Sequence, residues 1–174
     1  MTVIRPLTMD DAPALAKLVA GNRDFLSPWE PLRDESFFTL DGQRAAVKES
    51  LAHRDQGTVM PHVIVDDDGQ TVGRIGLHGI VAAPSFLSCS VGYWVASEYN
   101  GRGHATAALR QVLRVAFTGL GLHRVQAETL VHNEKSQRVL ENAGFLRYGV
   151  APRYLRIAGT WQDCVMFQIL NDRV

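Results

Sequence analysis

Only two cysteines occur in 174 residues, which excludes the disulfide framework that small secreted domains depend on. Cys89 and Cys164 sit in strand-like apolar surroundings without metal-ligand spacing and read as reduced core residues. The six histidines are scattered and show no zinc pattern, so no metal is expected. Neither charge is in surplus: 18 Lys and Arg balance 18 Asp and Glu. A general nucleic-acid binder carries a basic excess, so no DNA partner is expected. The first residues form no apolar run of signal-peptide length, and nothing later approaches a membrane span. The expected compartment is therefore the cytoplasm. There is no repeat, low-complexity tract or linker, and 46% hydrophobic content suits one domain over residues 1–174.

Periodicity gives the elements. Residues 3–7 read as a first strand, and Thr8 with Asp11 three positions on forms a near capping box. Leu15, Leu18 and Val19 mark a helix ending near Gly21 and Asn22, followed by an aromatic- and proline-rich loop over 25–38. Asp41 reads as the cap of a second helix reaching residue 54 through Val47 and Leu51. Strands follow over 59–65, 70–81 and 88–95, the first two joined by the turn signal Asp67-Asp68-Gly69. A helix over 104–119 follows, then a strand over 125–131 and a helix over 134–142 closed by Gly144. Two last strands, 145–157 and 161–170, join through Ala158-Gly159. The order β-α-α-β-β-β-α-β-α-β-β predicts a mixed α/β sheet with helices on its faces.

The stretch Tyr99-Asn100-Gly101-Arg102-Gly103-His104-Ala105 falls where a buried strand ends and a helix begins. Leu109, Val112, Leu113, Ala116 and Phe117 then repeat at the spacing of one helix face. Two glycines at a helix mouth let the backbone approach a ligand and leave the first-turn N–H groups unpaired. With the helix dipole they form an anion site, to which Arg102 adds a phosphate-matching cation. The segment reads as a pyrophosphate cradle. A P-loop is excluded, because no Lys-Ser/Thr follows the last glycine.

The pattern (Gln/Arg)-x-x-Gly-x-(Gly/Ala), here Asn100-x-x-Gly103-x-Ala105, resembles the cofactor loop of the GCN5-related N-acetyltransferases (GNAT). Asn100 departs from the family's first position and is shorter, which spares the backbone contacts. Val131-His132-Asn133-Glu134-Lys135-Ser136, continuing to Gly144-Phe145, resembles the RimJ/RimL branch. The resemblance covers nearly the whole chain. It implies an α/β (α+β) fold with a mostly antiparallel sheet of about seven strands and a V-shaped splay between the fourth and fifth. It implies acetyl-CoA as co-substrate, bound by Trp94, Val95, Asn100, Gly101, Arg102, Gly103, His104, Ala105, Thr106, Asn133 and Ser136. Asn133 would hold the pantetheine arm and Ser136 would donate to the departing thiolate. A bulge at Tyr93-Trp94-Val95 would open the splay, and the Val95 N–H would bind the thioester oxygen. The Tyr93 and Trp94 side chains themselves read as core aromatics.

Residues 22–36 and 154–163 resemble the same branch, whose acceptor is the N-terminal alanine of a ribosomal protein. Trp29, Glu30, His78 and Asp163 are the expected acceptor contacts. Some related sequences place an acidic residue where this chain has Arg153, which leaves Glu30, Glu128, His78 or water as the base. An α-amine, with a pKa near 7.7–8.0 against about 10.4 for lysine, makes a weak base sufficient. The rival acceptors are a small amine (amino sugar, polyamine, amino acid or antibiotic), with another acyl-CoA as alternative donor. A rival of another class is a non-catalytic CoA sensor or ribosome-assembly factor. The chain is expected to be a monomer or homodimer.

Overall fold

The β-rich segments form one seven-stranded sheet in the order β1-β2-β3-β4-β5-β7-β6 in the computed structural model, which describes residues 2–172. The strands are β1 (Val3–Pro6), β2 (Val59–Val65), β3 (Thr71–Ala83), β4 (Phe86–Val95), β5 (Arg124–Leu130), β6 (Leu146–Ile157) and β7 (Thr160–Leu170). The helices are α1 (Ala12–Gly21), α2 (Arg23–Leu26), α3 (Leu40–Asp55), α4 (His104–Arg114) and α5 (Glu134–Asn142). Turn chemistry sets the hairpins. Gly69 takes φ +77° while the Asp66 carboxylate accepts the Asp68 and Gln70 amides at 3.1 and 2.8 Å. Ala158 and Gly159, at φ +48° and +83°, turn β6 into β7 with the left-handed pair that a tight hairpin favours.

Strand alternation divides the side chains between two faces. Ile75, Leu77, Val91 and Val125 pack on Ala108, Leu109 and Val112 of α4, in a core that also holds Phe167. The other face meets α1 and α3, where Leu15 and Val47 pack with Val63 and Trp94. After α4 the chain widens into a π-helical turn over Val115–Gly119. Cys89 and Cys164 are both buried and unpaired. No helix among the described residues is long and apolar enough to cross a membrane.

Three sequence expectations need correction. Thr39, not Asp41, caps α3: its hydroxyl accepts the Gly42 amide at 3.1 Å. The chain is extended at Thr39, which aims that side chain at the first turn, whereas Asp41 already lies inside the helix. The 25–38 loop is interrupted by the end of α2 and by a 3-10 turn at Glu35–Phe38. The bulge at Tyr93–Val95 is absent, since the pairs Gly73↔Val95, Arg74↔Trp94 and Ile75↔Tyr93 run unbroken. The register shift lies between His78 and Val81. The splay has a different cause. Parallel pairing of β4 with β5 is confined to Ser88↔Arg124, Cys89↔Val125 and Ser90↔Gln126. Beyond it β5 continues against β7 alone, from Ala127↔Phe167 to Leu130↔Cys164. The upper half of β4 is thereby left open.

Below that opening, Asp11 ties β1 to the start of α1. Its buried carboxylate accepts both Arg5 guanidinium nitrogens, at 2.9 and 2.5 Å, and the Thr8 amide at 2.9 Å. Burial alone would raise its pKa, but the bonds from Arg5 and Thr8 outweigh burial and hold it below the ordinary value. A depressed folded pKa contributes stability above the unfolded pKa, and that contribution is lost as pH falls through the folded value. Asp11→Asn is expected to cost about 1–3 kcal/mol at pH 7, lowering Tm by about 2–10 °C. Thermal melts should show the gap to wild type closing in acid; a gap independent of pH would refute this account.

Candidate active site

Gly103 opens α4 in the left-handed region, at φ +81°, and Gly101 takes φ +77°. No side chain caps this helix, and its first internal bond runs from the Ala107 amide to the Gly103 carbonyl at 3.0 Å. The amides of His104, Ala105 and Thr106 therefore have no acceptor among the described residues. A Cβ built at either glycine meets nothing within 4 Å. The cradle is open, carries the positive end of a helix dipole and suits a phosphate group. Its side chains are engaged elsewhere. The His104 ring is buried and bonds Thr2 Oγ1 at 2.8 Å, so only its backbone faces outward. Arg102 lies over the Tyr99 ring at 5.6 Å. Asn100 folds back toward the Val95 and Ala96 carbonyls, both at 3.4 Å.

The open edge of β4 leads away from the cradle. The Ala96 amide bonds the Val72 carbonyl of β3 at 2.9 Å. In an antiparallel ladder adjacent amides point to opposite sides, so those of Val95 and Tyr93 face the gap toward β5. Asn133 caps α5 across that gap, its Oδ1 accepting the Ser136 amide at 3.2 Å, which leaves its NH2 group without an acceptor among the described residues. Ser136 Oγ lies 2.8 Å from the Tyr93 hydroxyl. Burial pushes the Tyr93 pKa up to about 12, against the pull of that bond, so the phenol stays protonated. Residue reading assigned Tyr93 to the core alone. A strand tyrosine carries no local signal that its hydroxyl meets a distant helix.

A cleft of about 1340 Å³ runs from Asn100, Gly101 and Ala105 past Val95, Asn133 and Ser136 to Trp29, Glu30, Arg33, Arg74 and His78. A smaller cavity of about 150 Å³ joins it at Trp29, Gly92, Tyr93, Asn133 and Ser136 and extends to Glu128 and Thr129. Thr129 Oγ1 is buried there without a hydrogen-bond partner among the described residues. Glu128 accepts from Ser90 Oγ at 3.1 Å, and Ser90 pairs with His78 across β3 and β4. Trp29 lines both spaces and lies tilted against the His132 ring, with centroids 5.5 Å apart. The Glu30 carbonyl accepts the Ala158 amide at 3.0 Å, fastening this lip to the β6–β7 turn. Asp163 is not brought to either space. Its Oδ1 holds the Arg153 amide at 2.8 Å, where Arg153 takes φ +49°, so it braces the backbone of β6. Among the described residues no group of three or more metal-ligating side chains converges.

A family model described as acetyltransferase (GNAT) domain matches residues 2–146. The chain is 33% identical over 164 residues to the ribosomal protein uS5-alanine N-acetyltransferase of Escherichia coli (strain K12), spanning 94% of this chain and 84% of that protein. It is 32% identical over 169 residues to the probable N-acetyltransferase YjcK of Bacillus subtilis (strain 168), spanning 97% and 93%. The solved structure of Mycobacterium smegmatis RimJ in complex with CoA-disulfide superposes with a TM-score of 0.94 at 32% identity, covering 99% of this chain and 83% of that one.

Glu30 is the titratable group most exposed to conflict in the cleft. Burial, the largest influence, raises its pKa, and the charges of Arg33 and Arg74 only partly oppose the rise. A raised folded pKa favours folding below the unfolded pKa, and that contribution is lost as pH rises through the folded value. Glu30→Gln is therefore expected to raise Tm near pH 7.5 and to give no gain near pH 4. An equal shift at both pH values would exclude the buried charge as its cause.

Proposed function

The chain belongs to the GNAT acetyltransferases and is an acetyl-CoA-dependent N-acetyltransferase, and we propose that its acceptor is the N-terminal α-amine of a protein with an alanine-type first residue, as on a ribosomal protein. The observation that carries this reading is the continuity of one cleft through the opened strand pair. The cradle lies at one end, and a half-buried carboxylate, Glu30, lies at the other. The likeness to the uS5-alanine enzyme over nearly the whole chain supports the choice of acceptor.

Each residue then has a task set by its position. The amides of His104, Ala105 and Thr106, reached through Gly101 and Gly103, hold the pyrophosphate. The free NH2 of Asn133 meets the pantetheine arm where it passes between β4 and β5. Bound acetyl-CoA supplies the thioester carbonyl that the amine attacks directly, without a covalent enzyme intermediate. The Val95 amide, facing the gap, stabilises charge on that carbonyl oxygen. The Tyr93–Ser136 pair donates to the sulfur as it leaves; a thiol with a pKa near 8.5 needs only a weak donor. Glu30 and Trp29 orient the amine, and orientation supplies much of the rate. Glu128 takes the amine proton through water in the smaller cavity, with Ser90 fixing its carboxylate.

Two measurements test this function. Thiol release from acetyl-CoA should occur with a short Ala-starting ribosomal peptide and not with its N-blocked twin. Equal turnover of an internal-lysine peptide would overturn the α-amine reading. Tyr93→Phe and Ser136→Ala should each lower kcat by about 10- to 100-fold, the value of one hydrogen bond to a developing charge. Acetyl-CoA affinity should be retained in both variants, and unchanged kcat in both would remove the pair from the leaving-group step.

A further inference from the structure

One cation on the acceptor face has no task in the transfer just described. Arg74 stands on β3 directly opposite Trp94, and its neighbours on that face are the cross-strand pairs Gly76↔Gly92 and His78↔Ser90. The glycine pair carries no side chains, so the sheet floor is bare beside Arg74. That stretch, with Trp94 and Glu30, lines the large cleft. Arg74 is half-buried, and only one of its hydrogen bonds to the described residues is to a side chain: Nη2 donates to Ser50 Oγ at 3.3 Å. No carboxylate stands within ion-pair distance of it among those residues. A guanidinium has five N–H donors and stays charged at neutral pH. Removing such a group from water is costly unless the donors are met.

Half-buried Glu30 carries the opposite charge at the Arg33 end of this wall, and Glu49 and Glu134 are the other carboxylates lining the cleft. Arg33 lies 3.7 Å from Glu30 and stacks over Phe37 at 4.5 Å. A polyamine entering here would meet two guanidinium groups. A molecule with an amine and an oxygen acceptor a few bonds apart would instead engage both signs. We propose that Arg74 is a specificity-determining residue that binds the carbonyl or carboxylate oxygen of the acceptor's first residue, so that the enzyme takes α-aminoacyl amines rather than plain alkyl or polyamines. The inference rests on the α-amine reading and narrows it. Its chemistry is shared by a peptide N-terminus and a free α-amino acid. Glu30 sets the end that receives the amine, and Arg74 sets the end that receives the oxygen.

The test compares wild type, Arg74→Met and Arg74→Lys on an Ala-starting peptide, alaninamide, free alanine, 2-aminopropane and spermidine. The wild-type-to-variant ratio of kcat/KM is taken for each amine, so the amine's own pKa cancels. Arg74→Met should lose about 10- to 100-fold more on alaninamide than on 2-aminopropane, which has the same skeleton without the carboxamide. Arg74→Lys keeps the charge but not the fork and should recover part of the loss; it also serves if the methionine variant melts early. Equal losses on both amines would make Arg74 structural and overturn the proposal. With the selective loss in Arg74→Met, preference of the wild type for the peptide and alaninamide identifies a peptide carbonyl as the group Arg74 binds, and preference for free alanine identifies a carboxylate. If wild type favours 2-aminopropane or spermidine over every carbonyl-bearing amine, the α-amine reading fails as well. If wild type favours the carbonyl-bearing amines while both variants treat all five alike relative to wild type, only the role of Arg74 falls.

Discussion

The early end of β4–β5 pairing is the constraint on which the rest depends. In a sheet interior every backbone N–H and C=O needs a partner, because an unmet one costs about as much as a lost hydrogen bond. Here parallel pairing stops at Ser90↔Gln126, and the upper part of β4 has only β3 beside it. The chain offsets part of the deficit locally, where the Asn100 side chain reaches back to the Val95 carbonyl. The Val95 amide remains, aimed at a gap wide enough for a linear chain. A linear thioester carrying carbonyl groups fits that deficit, since it brings acceptors to amides the sheet has left bare.

The same opening explains why the two substrates do not compete for space. Side chains alternate along β3 and β4, so Tyr93 faces α4 and α5 while Trp94, Gly92 and Arg74 face α1 and α3. The proposed mechanism thus places donor chemistry on one face and acceptor recognition on the other, with the gap as their meeting point. The acceptor face is shaped by what is missing. A Cβ at Gly76 would press the Met60 carbonyl at 3.3 Å, and one at Gly92 would meet His78 Cε1 at 3.4 Å. Glycine weakens a strand, and the position is explained by the floor it clears. Glu30 follows the same logic, because burial raises its pKa and a charge is kept there at a cost to folding.

Much of the fold was legible in the sequence, because periodicity and turn chemistry act locally. Leu109, Val112 and Leu113 announce the buried stripe of α4, and Asp67-Asp68-Gly69 announces a hairpin. The cradle was legible for the same reason: two glycines before a helix describe a backbone conformation wherever they stand. Asn133 and Ser136 were singled out through a family segment, and in the structure Asn133 caps its own helix with one end of its amide. What escaped depends on distant strands. Arg74 looks like any exposed strand arginine until its register with Trp94 and the bare glycine pair is known. Asp163 looked like a substrate contact because its segment resembles one. Its carboxylate is consumed by the strained Arg153 backbone. The splay was anticipated with the wrong device, since a bulge and a lost partner both open a strand pair, and only the ladder separates them.

Asn100 shows how the site can shift its grip without changing its chemistry. A longer Gln or Arg at this position could reach outward over the loop. The shorter amide turns inward and supports the carbonyls at the end of β4. The proposed anion site then rests on the backbone that opens α4, its geometry fixed by Gly101 and Gly103. Support for β4 at this point also steadies the Val95 amide beside it. Asn100 thus braces the end of the strand whose Val95 amide faces the gap. In the proposed mechanism donor binding and transition-state support share a loop, and they are separable because one uses the helix mouth and the other the strand end.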